Sequence, residues 1–490
     1  MIFHSLDFVV FFFITVTLYW RLPHRWQNHL LLVASYIFYG WITPWYLLLL
    51  MTSTTIDWWA ARQMEREPAH RKRYLALSLT SNLGMLGYFK YANFFIDNVG
   101  RILTTVGLPT SPHVLKVMLP VGISFFTFQA LSYTIHVYRG TLRARASLLD
   151  VATYVAFFPQ LVAGPIERAS ALLPQVEGER RFSADAARSG LRLMAWGFFK
   201  KLVIADNVGL VADKVFALEA PAFEILWAGV FAFAIQIYAD FSAYSDIARG
   251  TARWFGFELM VNFDHPYLAR GPQDFWRRWH ISLSTWFRDY VYIPLGGSRK
   301  GFGRELANIM ATFVLSGFWH GASWNYVLWG AYHGLLLVAS RLRRRVLGDP
   351  HATLARRSHA VASAKPERRR GEGGWAGVVA PLQIAGMFVL VCIGWLMFRE
   401  TDATMLLRDF TLSPGASSAL ERQAGYALCL RVLPFAVPLF VQSVWVEFRG
   451  RERAEPTWPA IVDGVLVGVL FASILVFRSQ ASLDFIYFQF

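Results

Sequence analysis

The 490-residue chain carries a net charge of +15, yet only 17% of its residues are charged and 55% are hydrophobic, with a mean hydropathy of +0.35. Soluble domains are about 45–50% apolar and about 25% charged, so this composition excludes an ordinary soluble enzyme. Apolar runs of about 20 residues recur along the chain, and backbone groups in lipid must bond within their own segment, so we predict an all-α, polytopic membrane protein.

The apolar runs predict about 11–12 transmembrane helices, together with broken, re-entrant and amphipathic segments. The predicted spans lie near 6–20, 28–41, 43–60, 75–97, 115–137, 190–213, 223–247, 306–319, 323–340, 375–398, 427–446 and 460–477. A further apolar stretch, 151–168, is interrupted by Pro159, Gly164 and Pro165. We expect that stretch to form a broken segment buried in protein, because lipid does not tolerate irregular backbone.

Basic residues gather in the loops between the apolar runs. The loop 61–74 carries five Lys or Arg, and the loop 341–374 carries ten against three acidic residues. The positive-inside rule places both in the cytoplasm, the second as a partly disordered linker. The loop 399–426 then lies outside, as do both termini and the aromatic tail 479–490. We find no repeat and no soluble segment, so residues 1–490 are predicted to form a single membrane domain.

Two composition features carry no chemistry of their own. Cys392 and Cys429 lie in separate apolar runs, so we predict neither a disulfide nor a metal site. The net positive charge follows from the basic loops and does not indicate a nucleic-acid partner.

The stretch SGFWHGASWN, residues 316–325, places His320 inside the apolar run 306–340. Ionisable side chains inside a membrane are costly and usually act in a cavity. An imidazole escapes part of that cost by staying neutral, which is also the form that a general base requires. Gly321 should interrupt the helix and leave room for a ligand. We predict that His320 is a general base; the alternative is a hydrogen bond to a neighbouring helix.

A second histidine, His280, lies in QDFWRRWHISLSTWFRDYVYIPLGG, residues 273–297, where aromatic and basic residues alternate. This pattern predicts an amphipathic helix at the interface or folded inward. Its Arg277, Arg278 and Arg288 are candidates for binding a phosphate-bearing ligand at the cytoplasmic side. The alternative is an anchor at the membrane surface.

The stretches RWHISLSTWFRDYVYIPLGGSRKG and FVLSGFWHGASWNYVLWGAYHG resemble the membrane-bound O-acyltransferase family, most strongly its bacterial alginate O-acetyltransferase branch. Supporting segments are LPVGISFFTFQALSYTIHVYRG (119–140), YVAFFPQLVAGPIER (154–168), YADFSAYSDIARG (238–250) and the terminal FIYFQF. The resemblance covers most of residues 30–340 and the tail. The basic insert 341–374 is the main departure from the family pattern.

The resemblance implies that His320 matches the catalytic histidine of the family and that His280 matches a second motif position. It implies acetyl-CoA as a cytoplasmic co-substrate, with no bound cofactor and no metal. It also implies a hydroxyl of an exported, alginate-like polysaccharide as the acceptor, with periplasmic partner proteins completing the transfer. The expected location is the bacterial inner membrane.

Such a reaction requires the acetyl group to pass the bilayer, which predicts a central tunnel. Asn325, Trp324 or a backbone N–H at the helix break would stabilise the oxyanion. Asp240 and Tyr244 share a helix face and would line the tunnel mouth, although capping or interhelical bonding explains them as well.

The tail offers a second route for the acetyl group. Tyr487 lies in FIYFQF, and its hydroxyl is a candidate acyl relay; the alternative is an aromatic anchor at the membrane interface. Elsewhere, Lys200 and Lys201 are expected to lie at an interface with their amines directed toward water. Tyr332 and His333 are weaker candidates for lining the pocket.

A rival reading from another class is a transporter or flippase for a glycan or lipid precursor, since broken helices and a buried histidine also mark transport pathways. The missing repeat counts against it. Within the enzyme class, the acceptor could instead be peptidoglycan or cellulose, or a teichoic acid that receives D-alanine. No residue in the sequence decides among these acceptors.

Overall fold

The chain folds into α-helices in the computed structural model, which describes residues 1–41, 43–108, 115, 118–348, 375–449, 459–480, 483, 485 and 486. No β-strand occurs in these ranges, so the predicted all-α fold is confirmed. The helices are α1 Leu6–Arg21, α2 His24–Gly40, α3 Tyr46–Arg66, α4 Arg71–Leu86, α5 Ala92–Thr105, α6 Ile123–Tyr138, α7 Leu148–Ala156, α8 Phe158–Leu161, α9 Ala169–Glu177, α10 Ala184–Phe199, α11 Asp206–Phe216, α12 Phe223–Trp254, α13 Pro272–Arg278, α14 Ile281–Phe287, α15 Phe302–His320, α16 Trp324–Leu347, α17 Trp375–Arg399, α18 Ala403–Thr411, α19 Ala419–Arg449 and α20 Ala460–Phe477.

Contacts divide the chain into two compact units. The first comprises Met1–Val211, Ile235–Val261 and Glu452–Phe490, and the second comprises Ala212–Ala234 and Asn262–Arg451. Helices α11 and α12 each contribute to both units. The single membrane domain expected from the sequence stays a prediction.

Several helices have the length and composition to cross a membrane. In the described part of the chain, four meet a strict requirement of at least 18 residues and an apolar window. They are Phe223–Trp254, Val379–Arg399, Ala419–Arg449 and Ala460–Phe477. The protein is therefore an all-α membrane protein, whereas the count of about 11–12 spans and the central tunnel stay predictions.

Some predicted boundaries differ from the observed ones. The span predicted at 75–97 belongs to a longer helical stretch, because the π-helical turn Gly87–Tyr91 joins α4 to α5 without a break. The predicted linker 341–374 begins as helix, since α16 continues to Leu347; the rest of it, from 349, lies outside the described residues. A run of arginines forms good helix, so basic composition alone does not end α16.

The stretch 151–168 is broken and buried, as predicted. Helix α7 ends at Ala156, and the short α8 contains Pro159. The break frees the backbone carbonyl of Tyr154, which then accepts hydrogen bonds from the side-chain amides of Gln129 at 2.6 Å and Gln160 at 3.1 Å. These bonds make the irregular backbone tolerable, because an unsatisfied carbonyl away from water costs free energy comparable to a lost hydrogen bond.

Candidate active site

His320 is the last residue of α15, in the second unit, and is only 4% exposed. Three aromatic rings contact its imidazole edge to face: Trp319 at 5.0 Å, Trp329 at 5.1 Å and Phe398 at 5.3 Å between centroids. These rings enclose the imidazole in apolar surface. A reaction at this ring would therefore proceed with little bulk water around it.

The helix break that the sequence predicted after His320 is present. Gly321 is extended, with φ −164° and ψ 154°, and α16 begins three residues later. The hydroxyl of Ser323 accepts a hydrogen bond from the backbone N–H of Asn325 at 3.4 Å and so caps α16. The break leaves His320 at a helix end.

Two glycines hold α15 and α16 in close contact on either side of this break. A Cβ atom on Gly317 would lie 2.1 Å from the carbonyl oxygen of Tyr326, and one on Gly330 would lie 2.3 Å from that of Phe313. Such distances leave no space for a methyl group. The two backbones therefore touch at these positions, and their contact fixes the end of α15 that carries His320.

The role expected of Gly321 was wrong. We expected it to leave room for a ligand, but a Cβ there would lie 2.1 Å from the ring of Tyr326. The protein itself occupies that space. Gly321 serves the packing of the turn against α16.

Replacing Gly330 by alanine should destabilise the protein by about 1–3 kcal/mol, because the added methyl group forces α15 and α16 apart. The displaced His320 should also slow the predicted acyl transfer. Gly303→Ala is the matched control, since Gly303 lies in the first turn of the same α15 and a Cβ atom added there would meet no atom within 4 Å. Thermal unfolding and transfer rates of both variants check this; equal behaviour of the two would contradict the close contact.

His280 lies at a sharp bend, not within one amphipathic helix. The helix predicted over 273–297 is wrong: α13 ends at Arg278, and α14 begins at Ile281. Between them His280 adopts the left-handed conformation, φ 44° and ψ 56°. That conformation costs a non-glycine residue on the order of 1–3 kcal/mol, so the surrounding structure must impose it.

Asn262 imposes the bend from 18 residues upstream. Its backbone carbonyl accepts from the N–H of Ile281 at 2.9 Å, and its side-chain oxygen accepts from the hydroxyl of Ser282 at 2.9 Å. The same oxygen faces Nδ1 of His280 at 3.2 Å. An N–H at Nδ1 would donate to this oxygen, and the lone pair of a neutral ring would then lie on Nε2.

The structure brings the two predicted histidines to one indole. The ring of Trp319 lies 5.0 Å from His320 and 6.3 Å from His280, between centroids. Both imidazoles are buried, and His280 has no exposed surface. The two motifs found in the sequence therefore form one site.

Two substitutions at His280 distinguish the role of its left-handed backbone from the role of its imidazole. His280→Asn should keep the left-handed backbone, which asparagine tolerates well, while His280→Ala should also destabilise the bend. If the imidazole positions a reactant, both variants should lose transfer by about 10²-fold. Rates and thermal unfolding measured together check this. Full activity of His280→Asn would assign His280 to the bend alone.

The two residues proposed to bind the oxyanion lie in different surroundings. Trp324 is 56% exposed, whereas Asn325 is 1% exposed. The side-chain amide of Asn325 donates a hydrogen bond to the backbone carbonyl of Glu400, just after α17. That bond ties the start of α16 to the end of α17, where Phe398 contacts His320. The oxyanion role of both residues stays a prediction.

The three candidate arginines for phosphate binding differ in accessibility. Arg278 is 5% exposed and is engaged by Asp274 at 2.9 Å and Glu447 at 3.5 Å. Arg277 is exposed, and the exposed Arg288 forms a surface pair with the adjacent Asp289. A surface pair of that kind is weak, so Arg277 and Arg288 are better placed than Arg278 to meet an anionic ligand.

Asp240 and Tyr244 belong to the part of α12 that lies in the first unit. Asp240 forms an ion pair with the ammonium of Lys201 at 3.1 Å, and the ring of Tyr244 packs 4.9 Å from that of Phe485. Both are buried. These contacts do not show whether Asp240 and Tyr244 line a tunnel mouth, so that role stays a prediction.

Tyr487 lies outside the described residues, so its relay role also stays a prediction. Lys200 and Lys201 do not reach toward water as expected; they are 3% and 5% exposed and form ion pairs inside the first unit. The expected direction of both amines toward water was wrong, whereas their placement at a membrane interface stays a prediction.

Sequence reasoning missed the residues that complete the site. Phe398 and Trp329 enclose His320, and Asn262 shapes the bend at His280. The only local signal for Asn262 is its place in VNFDHPY, a polar and proline-containing interruption between apolar segments. Nothing local in the sequence marks Phe398, because it meets His320 only through tertiary packing.

Comparisons with known proteins bear on this site. The chain is similar over its full length to the probable alginate O-acetylase AlgI of Pseudomonas putida, with 37% identity and 100% of both chains covered. It is likewise similar to the protein of that name from Azotobacter vinelandii, with 35% identity over 100% of both chains. A peptidoglycan O-acetyltransferase from Helicobacter pylori is 35% identical over 66% of each chain.

A family model described as membrane-bound O-acyltransferase matches residues 31–365, which include both histidines of the site. The match spans more than half of the chain. It agrees with the resemblance carried by the two histidine stretches and with the all-α membrane fold. The protein is thus an O-acyltransferase, and the chain belongs to the membrane-bound O-acyltransferase family.

Proposed function

We propose that this protein transfers acetyl groups from cytoplasmic acetyl-CoA to hydroxyls of an exported, alginate-like polysaccharide. The observation that carries the proposal is the position of His320, buried at a helix end and enclosed by aromatic rings, in a chain of this family. The full-length similarity to alginate O-acetylases supports the acetyl group and the polysaccharide class.

His320 acts as the general base in this scheme. An acceptor hydroxyl attacks the thioester carbonyl, a C–O bond forms, and the C–S bond breaks. The hydroxyl proton passes to His320 and then to the sulfur of the departing coenzyme A. Backbone N–H groups at the break after Gly321, or the Asn325 amide, stabilise the oxyanion. No covalent bond to His320 is required.

The enclosure around His320 suits a small acyl group. Trp319, Trp329 and Phe398 each lie within about van der Waals contact of the imidazole, at 5.0–5.3 Å between centroids. An acetyl group needs less room beside these rings than a long acyl chain does.

The donor approaches from the cytoplasm, because coenzyme A is a large polyanion that does not cross lipid. The exposed Arg277 and Arg288 are the residues we assign to its phosphates. The location is the bacterial inner membrane, with both termini outside. The acetyl group alone then passes the bilayer, and periplasmic partner proteins complete the transfer.

A relay through Tyr487 would carry the acetyl outward. The phenol oxygen of Tyr487 attacks acetyl-CoA, giving acetyl-tyrosine and free coenzyme A. A second hydroxyl, on the polysaccharide or on a partner protein, then takes the acetyl and restores the phenol. Direct transfer is the simpler alternative, and the label experiment in the Discussion separates the two.

Peptidoglycan is the second candidate acceptor, favoured by the similarity to the Helicobacter pylori enzyme. A transporter or flippase is disfavoured by membership in an acyltransferase family. The acceptor is tested by comparing cells with and without the protein. Mass spectrometry should show that the extracellular polysaccharide loses acetyl esters; unchanged polysaccharide with deacetylated peptidoglycan would support the second candidate instead.

A further inference from the structure

Two consecutive lysines in the first unit have different partners. The π-helical turn Lys200–Ala205 joins α10 to α11 and places both side chains inside the protein. Lys200 pairs with Asp246 at 2.8 Å and donates to the hydroxyl of Ser242 at 2.7 Å. Lys201 lies 3.0 Å from Asp206 and 3.1 Å from Asp240. We call Lys201, Asp206 and Asp240 the buried triad.

Burial of the charged triad costs free energy. Each of its residues is at most 5% exposed, and it sets two carboxylates against one ammonium. Well-packed apolar residues often replace buried ion pairs without loss of stability. A charged cluster inside a membrane domain therefore indicates a function.

The remaining contacts of the buried triad lead to the tail of the chain. The ammonium of Lys201 donates to the backbone carbonyl of Leu483 at 2.9 Å. The carboxylate of Asp240 accepts from the backbone N–H of Ile486 at 2.7 Å. One donor and one acceptor of the triad thus bind the tail backbone three residues apart, through charge-assisted hydrogen bonds.

The end of α20 and Ser479 just after it are hydrogen-bonded to residues close to Lys201 in the sequence. The backbone N–H of Ser479 donates to the carbonyl of Leu202 at 3.1 Å, and the side-chain amide of Asn207 donates to the carbonyl of Phe477 at 2.9 Å. Both partners lie within a few residues of Lys201. The chain is therefore held where it leaves α20 and again at Leu483 and Ile486.

The side chains of the tail also pack against the first unit. Phe485 and Ile486 are 3% and 2% exposed, and the Phe485 ring lies 4.9 Å from that of Tyr244. On α11, a Cβ on Gly209 would lie 2.6 Å from Cδ1 of Leu483. The absence of a side chain at Gly209 thus leaves the space that Leu483 enters.

We infer that Lys201, Asp206 and Asp240 form a clamp that holds the tail backbone at Leu483 and Ile486, and that the proposed relay depends on this clamp. The residue proposed for the relay follows Ile486 directly in the sequence, so loss of the clamp should reduce transfer. The inference rests on the proposed relay for its purpose. Lys201 and Asp240 are positioning residues in this scheme, because they act on the tail backbone and touch no reacting atom.

The test removes the clamp without adding net charge. In the full-length protein, the double variant Lys201→Met/Asp240→Leu deletes one positive and one negative group together with both tail contacts. The double variant Lys200→Met/Asp246→Leu deletes the neighbouring ion pair and keeps the tail contacts, so it is the matched control for lost stability.

Hydrogen–deuterium exchange of the peptide containing Ile486 is the first measurement. The clamp variant should exchange the Ile486 amide at least about tenfold faster than the control variant, because its charge-assisted acceptor is gone. Equal exchange in the two variants would overturn the inference. This readout does not depend on acetyl transfer.

Transfer kinetics are the second measurement. The clamp variant should lose at least about tenfold in kcat for acetyl transfer, while KM for acetyl-CoA changes little, because donor binding is untouched. Faster exchange of the tail together with wild-type kcat would overturn the positioning role. If Tyr487→Phe is fully active, the relay fails, and the exchange experiment still decides whether the clamp holds the tail.

A variant that leaves every charge in place covers the case in which the clamp variant does not fold. Gly209→Leu fills the space of the Leu483 side chain and should push the tail away from α11. Increased exchange at Ile486 and reduced kcat are the expected results. Unchanged values for both would overturn the inference.

Discussion

Replacement of His320 by alanine is expected to abolish measurable acetyl transfer, with a loss on the order of 10²–10⁴-fold. The acceptor hydroxyl loses the group that takes its proton, and the aromatic enclosure admits little water to replace it. Because the ring is packed among Trp319, Trp329 and Phe398, alanine also leaves a cavity. His320→Gln keeps most of the volume and should be equally inactive. Transfer from labelled acetyl-CoA, per amount of folded protein, measures the loss.

His333 provides the control for this cavity. It is 1% exposed, and its ring contacts that of Trp329 at 4.9 Å, so His333→Ala removes the same side chain from the same aromatic cluster. We expect His333→Ala to lower thermal stability while retaining more activity than His320→Ala. Equal loss in both variants, or surviving activity in His320→Gln, would contradict the assignment of His320 as the base.

The part of the site that depends on nearby residues was predictable from the sequence. Gly321 disfavours continuation of the helix, and Ser323 is a good N-cap for the next one. The break after His320 therefore follows from local preferences. The proline and glycine residues in 151–168 likewise predicted the broken segment there. In both cases the chain leaves the helix because of residues at the break itself.

The bend at His280 could not be predicted in this way. Its local sequence has the aromatic and basic pattern of an interfacial helix, but hydrogen bonds that Ser282 donates to Asn262 hold a left-handed residue at its centre. That partner lies 18 residues away. A single sequence shows such a tertiary contact only as an unexplained asparagine.

The burial of Lys200 and Lys201 is a second feature that could not be predicted from the sequence. From the sequence alone, Lys200 and Lys201 are expected to lie at a membrane interface with their amines directed toward water. The acidic partners Asp240 and Asp246 come from a helix that lies about 40 residues further along the chain, and only the fold brings them together. The prediction failed because apolar patterns reveal which runs are buried but not which charges meet inside.

Replacement of Tyr487 by phenylalanine is expected to reduce transfer to the polysaccharide by about 10³-fold or more, because it removes the relay nucleophile. Incubation with labelled acetyl-CoA should place the label on the peptide that contains residue 487 in the unmodified protein only. Tyr487→Phe/Phe488→Tyr is the matched variant, since it keeps the composition of the tail and moves the hydroxyl by one residue. It should stay inactive if transfer depends on a hydroxyl on the residue directly after the clamped Ile486.

The same substitution decides between the relay and an aromatic anchor. Phenylalanine retains the ring that an anchor at the membrane interface requires and loses only the phenol oxygen. An anchor therefore predicts near-normal activity for Tyr487→Phe, whereas a relay predicts almost none. Full activity without label on residue 487 would rule out the relay and leave His320 to activate the polysaccharide or partner hydroxyl directly.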